Sequence, residues 1–97
     1  MLTLYQAEWC PYSSRVRMRL TELGLSFVAK QVEPDPEDRD ELRAVTGGDE
    51  IPTLVAEGGE AIDGADEIIA WLDARWQDSP TAQGHRAQAR EHDRSPA

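Results

Sequence analysis

The stretch LTLYQAEWCPYSSRVRMRL, residues 2–20, decides the fold, because it joins a strand to a helix through a short loop. Leu2 to Gln6 alternates apolar with polar or aromatic residues, which predicts a short strand. Pro11 suits a first helical turn, since its missing N–H would have no partner there. The apolar face of the helix is then formed by Val16, Leu20 and Leu23. We therefore predict a helix from Pro11 to Leu23 with Cys10 at its N-terminus.

The rest of the pattern predicts five further elements. They are a strand over Leu25–Val32, a helix capped by Asp35 and ended by Gly47, strands over Thr53–Ala56 and Glu60–Ile62, and a helix over Ala65–Trp76. The order β-α-β-α-β-β-α starts with a βαβ unit, whose strands should be parallel, and adds a hairpin and a closing helix. This predicts an α/β fold, a four-stranded mixed sheet flanked by three helices.

The chain after Trp76 differs in composition, because alanine is its only aliphatic residue. Such a segment buries too little apolar surface to offset the entropy of chain ordering. We therefore predict one domain over residues 1–76 and a polar, mobile tail over residues 77–97. At most, a frayed helix is expected from Arg86 to Glu91.

The charge of the protein excludes several classes of partner. The 97 residues carry a formal net charge of −9, which repels phosphate backbones and anionic membrane surfaces. No apolar stretch approaches the roughly 20 residues that span a bilayer, and no signal peptide is recognisable. The single cysteine excludes an intramolecular disulfide, which fits a reducing compartment. We expect a cytoplasmic monomer without nucleic acid or membrane partners.

Cys10 is the first candidate for chemistry. A thiol attacks only as thiolate, and the partial positive charge at a helix N-terminus lowers a cysteine pKa. Arg15 and the hydroxyl of Ser13 are expected to favour the charged form further. The alternative is a buried, inert cysteine. We predict no metal site, since His85 and His92 lie in the tail without other ligand types nearby.

Two further segments could bind a small ligand. In EIPTLV, a cis bond before Pro52 would leave the backbone groups of Ile51 free to pair with an extended ligand; a trans proline at an edge strand is the alternative. In DGADEI, the N–H groups of Ala65 and Asp66 begin a helix and suit a carboxylate, while the Asp66 side chain suits an ammonium group. Asp66 could equally serve the helix dipole alone.

Taken together, CPYS, ELRAVTGGDEIPTLV and GADEIIAWL resemble the glutaredoxin family within the thioredoxin-like fold. The same residues are similar to the N-terminal domain of glutathione transferases. CPYS matches the C-P-Y-C pattern of glutaredoxins at three of its four positions. The resemblance extends over residues 1–76 and implies a thioredoxin-like fold with a site for glutathione or another low-molecular-weight thiol.

The resemblance also implies roles for individual residues. Cys10 would be the nucleophile, with Pro11 and Tyr12 shaping its surroundings and Tyr12 lining the glutathione groove. Ile51 would bind the cysteinyl backbone of glutathione beside a cis Pro52. The γ-glutamyl group would be held by Ala65 and Asp66. In contrast to the family pattern, Glu8 lies just before Cys10 where a lysine is common, and its charge is expected to oppose the thiolate.

Ser13 occupies the position of the second cysteine, and a serine cannot resolve a mixed disulfide. The sequence therefore predicts a monothiol oxidoreductase that reduces thiol-modified proteins with glutathione as co-substrate and binds no tight cofactor. One alternative is a glutathione transferase-like role, which needs a helical second domain that the residues after Trp76 are too polar to form. Another is a non-enzymatic module that binds thiols or, as a dimer, an iron–sulfur cluster.

Overall fold

The computed structural model describes residues 1–93, which form one four-stranded sheet with helices on both faces. The strands are β1 (Leu2–Gln6), β2 (Phe27–Gln31), β3 (Thr53–Val55) and β4 (Ala61–Asp63). Their order across the sheet is β2-β1-β3-β4. β2 is parallel to β1, whereas β3 is antiparallel to β1 and β4 to β3. The predicted mixed sheet and its βαβ start are confirmed.

The helices are α1 (Pro11–Glu22), α2 (Asp40–Thr46), α3 (Ala65–Asp73) and α4 (Ala82–Asp93), with a short 3-10 helix at Pro36–Asp38. None of the helices in residues 1–93 has the length and apolar character needed to cross a membrane. The first three α-helices match the predicted ones in number and order. α4 is a fourth, so the predicted count of three is wrong.

The core lies between the sheet and the helix pair α1 and α3. Alternate residues of β1, Leu2 and Leu4, point into it, and β1 is buried along its length except at Thr3. The buried members of the core are Leu2, Leu4, Val16, Leu20, Leu23, Leu54, Ala65, Ile68 and Leu72. This packing fixes the N-termini of α1 and α3 relative to the end of β1.

The second helix does not run unbroken from the predicted cap. Arg39 interrupts it, and its side chain lies inward with only 8% of the residue exposed. The guanidinium donates to three main-chain carbonyls, those of Glu33, Pro34 and Asp49, at 2.8–3.0 Å. A charged group that satisfies three carbonyls outweighs one more helical turn.

The segment after Trp76 contains a longer helix than the sequence indicated. Instead of a frayed turn over 86–91, α4 extends from Ala82 to Asp93 and packs against α1. Its apolar contact is small, since Ala82 is its one buried residue. Ion pairs add to it, because Arg86 pairs with Glu22 of α1 and with Asp78. Residues 94–97 of the predicted tail lie outside the described residues.

Candidate functional site

Cys10 ends the loop between β1 and α1 and directly precedes the first residue of the helix. It is the N-cap residue of α1, and its carbonyl accepts the first helical hydrogen bond from Ser14 N–H at 3.0 Å. Its own N–H donates to the Ala7 carbonyl at 3.1 Å, so the loop is a tight turn. The sulfur therefore lies beside the unpaired N–H groups of the first helical turn, as predicted.

Ser13 locks the thiol in this position. Its backbone N–H donates to Cys10 Sγ at 3.4 Å, and its Oγ accepts from Ala7 N–H at 3.4 Å. The Ser13 side chain is fully buried, so it is fixed by packing as well as by these bonds. Ser13 is thus a support for the sulfur and for the loop that carries it.

The pKa of the Cys10 thiol is below its ordinary value. Burial acts against this, since only 6% of the residue is exposed and a buried thiolate is poorly solvated. Hydrogen bonds from the side chain and backbone of Ser13 and from the backbone of Tyr12, together with the charge of Arg17, outweigh burial and lower the pKa. The cysteine is buried, as the inert alternative supposed, but its contacts favour the anionic form of the thiol.

The cation that acts on the thiol is Arg17, a residue that the sequence analysis missed. Arg15, the predicted support, instead pairs with Asp66 through Nη2 and Oδ1 at 2.9 Å. Arg17 also pairs with Glu8 at 3.2 Å, so the carboxylate expected to oppose the thiolate has a counter-ion. The seven-residue spacing of Arg17 from Cys10, two helical turns, was the available signal.

A groove of about 400 Å³ lies between the first turns of α1 and α3; Tyr12, two residues after Cys10, lines it, but Cys10 itself does not. The groove brings together all five residues predicted to bind glutathione, and Arg15 and two more residues complete its lining. The lining residues are Tyr12, Arg15, Ile51, Pro52, Gly64, Ala65, Asp66 and Glu67. Tyr12 is exposed; Trp9, just before Cys10, is exposed too but does not line the groove. Three segments far apart in sequence therefore form one cleft.

The floor of the groove contains a cis peptide bond between Ile51 and Pro52, as the resemblance implied. Pro52 is buried, and its carbonyl accepts from Gly64 N–H at 2.9 Å, which ties this loop to the start of α3. Within residues 1–93, no hydrogen bond involves the N–H or carbonyl of Ile51. An extended ligand could pair with these groups as a strand would.

The wall of the groove is the N-terminus of α3. Gly64 precedes it with a φ of 88°, a backbone conformation that a side chain would strain. No side chain of the described residues caps the helix, so the predicted cap at Asp63 is wrong: that residue ends β4, and Gly64 takes the cap position. The free N–H groups of Ala65 and Asp66 are suited to a carboxylate.

A second cavity, larger and more apolar, lies away from this site. It measures about 560 Å³ and is bounded by Met1, Leu25, Trp71 and Trp76 among others. It includes none of the predicted site residues. Among residues 1–93, no cluster of histidine, cysteine and carboxylate side chains could hold a metal ion.

Comparisons with known proteins agree with this geometry. The family model of the glutathione S-transferase N-terminal domain matches residues 9–75. A glutathione S-transferase from Sinorhizobium meliloti has 30% identity and a TM-score of 0.68, over 76% of this chain and 32% of its own. An Omega 3C glutathione transferase from Trametes versicolor (24%, TM-score 0.68) covers 92% of this chain and 42% of its own.

A glutathione transferase homologue from Sulfitobacter, solved with bound glutathione, has 22% identity and a TM-score of 0.66 over 76% of this chain and 36% of its own. The chain thus spans about a third of the first solved structure that it matches. No curated protein matched the sequence significantly. The shared architecture confirms the thioredoxin-like fold, and the assignment of CPYS to glutaredoxins stays a prediction. With most of its length matched, the chain belongs to the glutathione S-transferase N-terminal domain family.

Proposed function

We propose that the protein is a glutathione-dependent thiol-disulfide oxidoreductase in which Cys10 is the only reacting thiol. The observation that carries the proposal is the position of Cys10, a thiol of lowered pKa at the N-terminus of α1 beside a groove suited to a small peptide. Family membership supports glutathione as the ligand class, although another low-molecular-weight thiol would meet the same groups.

The groove offers partners for the cysteinyl backbone and for the γ-glutamyl end of glutathione. The backbone of Ile51 would pair with the cysteinyl residue and direct its sulfur toward Cys10. The N–H groups at the start of α3 would bind the γ-glutamyl carboxylate, and the Asp66 side chain its ammonium group. Asp66 is well placed for this, because its side chain is 86% exposed and its present partner, Arg15, is exposed too.

The proposed reaction is two thiol-disulfide exchanges. The Cys10 thiolate attacks the glutathionyl sulfur of a mixed disulfide, which breaks the old S–S bond and releases the other thiol after it takes a proton from water. The new bond joins Cys10 to glutathione. A second glutathione thiolate then attacks the glutathionyl sulfur, releases the Cys10 thiolate and leaves oxidised glutathione. One disulfide is consumed and one is formed, so no other redox group is needed.

The direct test compares the wild-type protein with Cys10→Ser in the reduction of a glutathionylated peptide by glutathione. We expect the substitution to abolish reduction, and mass spectrometry to find one glutathione on the wild-type protein after exposure to oxidised glutathione. Equal activity of the two proteins would refute the proposal. Because Cys10 is 6% exposed, the same spectra test whether a disulfide reaches the sulfur in the folded state.

A second candidate is the glutathione-binding half of a transferase that conjugates glutathione to an electrophile. The match to the transferase family favours it, and such a role needs a helical second domain, which residues 1–93 do not contain. In that role the groove is the same, but Cys10 need not form a disulfide. Conjugation of a generic aryl halide, measured with and without the Cys10→Ser change, separates the candidates. Conjugation that survives the change would favour the transferase role.

We propose a monomeric, cytoplasmic protein whose larger substrates are thiol-modified proteins. The formal charge of −9 supports the absence of nucleic acid and membrane partners. An iron–sulfur module would be coloured when purified without oxygen, and we expect the purified protein to be colourless.

A further inference from the structure

Arg17 lies on the same stripe of α1 as the thiol. With about 3.6 residues per turn, positions 10, 13 and 17 follow one another on one helical face. Helical side chains lean toward the N-terminus of their helix, so the long Arg17 side chain extends back toward Cys10. Ser13 lies between the two and already contacts the sulfur.

Two acceptors hold the guanidinium of Arg17. Nη1 donates to Oε1 of Gln6, the last residue of β1, and Nη2 donates to Oε1 of Glu8 at 3.2 Å. The Arg17 side chain is 21% exposed, whereas that of Glu8 is 77% exposed. The guanidinium therefore bridges the end of the strand and the loop that leads to Cys10.

Gln6 is an unusual residue for its position. It lies on the core side of β1, in line with Leu2 and Leu4, and only 1% of it is exposed. Its Nε2 is buried and has no hydrogen-bond partner among the described residues. A buried amide with an unpaired donor destabilises a fold, so packing does not explain a glutamine here. Among residues 1–93, the side chain of Gln6 makes one hydrogen bond, and its partner is Arg17.

We propose that Gln6 and Arg17 act together as positioning residues for Cys10. Gln6 fixes the guanidinium over the cysteine loop, where its charge offsets Glu8 and favours the thiolate. The proposal rests on the proposed role of Cys10 as a thiolate nucleophile. The lowered pKa of the thiol, to which Arg17 contributes, supports it.

The other charged groups near the thiol lie on α1 and α3. From α1, Arg15 is paired with Asp66 of α3, and Glu67 lies on the same wall of the groove. None of these three is among the main causes of the shift of the thiol pKa. Arg19 lies outside the groove and has carboxylate partners of its own. It is a matched control for Arg17, since it is two residues away on the same helix and of the same charge.

The test is the rate of Cys10 alkylation by iodoacetamide as a function of pH, which reports the thiolate fraction without requiring glutathione. We expect Arg17→Gln to slow alkylation at pH 6 by about threefold or more and to match the wild type above pH 10, where every thiol is ionised. Gln6→Met should act in the same direction with a smaller effect. Combining the two changes should give no more than Arg17→Gln alone.

Three further variants sharpen the test. Arg17→Lys should restore part of the rate, since it keeps the charge but not the two-pronged contact. Arg19→Gln should leave the pH profile unchanged. Glu8→Gln alters an exposed side chain, so it should fold even if Arg17→Gln does not, and it should speed alkylation at pH 6.

The outcomes separate this inference from the proposed function. A wild-type thiol that titrates at its ordinary value would defeat the proposed function. If the wild-type thiol has a low pKa and neither Arg17→Gln nor Glu8→Gln changes it, the inference is overturned and the proposed function stands. A profile that shifts in Arg17→Gln but not in Gln6→Met would remove Gln6 from the pair and so refute the proposal as stated.

Discussion

The backbone N–H of Ser13 donates to Sγ of Cys10 at 3.4 Å, so the residue that occupies the place of a second thiol supports the first one. The side-chain Oγ of Ser13 accepts a hydrogen bond from Ala7 N–H on the other side of the loop. Ser13 therefore joins the end of β1, the loop and the first turn of α1. A serine here cannot resolve a mixed disulfide, but its N–H supports the sulfur of Cys10.

The Ser13 hydroxyl can be tested apart from its backbone. Ser13→Ala keeps the N–H that contacts the sulfur but removes the hydroxyl that lowers the thiol pKa. We expect alkylation of Cys10 at pH 6 to slow by about two- to fivefold, while exchange with glutathione continues. Ser14→Ala, an exposed neighbour, is the control and should match the wild type. Complete loss of exchange in Ser13→Ala would contradict a purely supporting role.

The lowered pKa of Cys10 also makes stability depend on pH. A group whose pKa falls on folding stabilises the protein fully above its unfolded pKa, about 8.5 here, and loses that effect as the pH falls through the folded value. The wild type should therefore gain stability over Cys10→Ala as the pH rises from 5 to 9. Urea unfolding at both values measures this. A stability difference that shrinks toward pH 9 would mean that the thiol pKa is raised.

Asp66 is predicted to bind the ammonium group of the γ-glutamyl residue. Asp66→Asn keeps the shape of the side chain but loses its charge, so the KM for glutathione should rise by about three- to tenfold with little change in kcat. Glu67→Gln removes the same charge from the next residue and serves as control. If both variants raise KM equally, general charge rather than a specific contact holds the ligand.

Arg39 holds the loop that precedes Ile51. Arg39→Met would leave the carbonyls of Glu33, Pro34 and Asp49 without their donor, and we expect a loss of about 2–4 kcal/mol in the free energy of unfolding. Arg43→Met removes carbonyl bonds and ion pairs that lie mostly in solvent, so it should cost about 1 kcal/mol or less. Chemical denaturation of both variants measures the two losses in the free energy of unfolding. Equal losses would mean that the three carbonyl bonds of Arg39 add no special stability.

The attachment of α4 to α1 depends on few apolar contacts. Arg86→Ala removes its bonds to Glu22 and Asp78, so the amides of α4 should lose protection from hydrogen exchange while those of α1 and α3 keep theirs. Arg90→Ala, exposed on the same helix, is the control. Fast exchange of α4 already in the wild type would favour the mobile tail that the sequence predicted.

Strong local signals explain which elements the sequence predicted well. The alternation of β1, the proline that starts α1 and the apolar stripe of α3 act within a few residues, and the structure agrees with them to within about three residues at most ends. Weaker signals led to wrong predictions for the second helix and for the helix after Trp76. The split of the second helix comes from Arg39, whose three acceptors are assembled only by the fold.

For the candidate site, the sequence by itself determined the chemistry available: one thiol at the start of a helix, no second cysteine, and a cis-proline loop indicated by the family resemblance. Only the tertiary structure decided which charges reach the thiol. Arg15 and Arg17 are both on α1, but packing of α3 pairs Arg15 with Asp66, while β1 and its loop hold Arg17 through Gln6 and Glu8. Electrostatic effects depend on distances through space, which the order of residues does not fix.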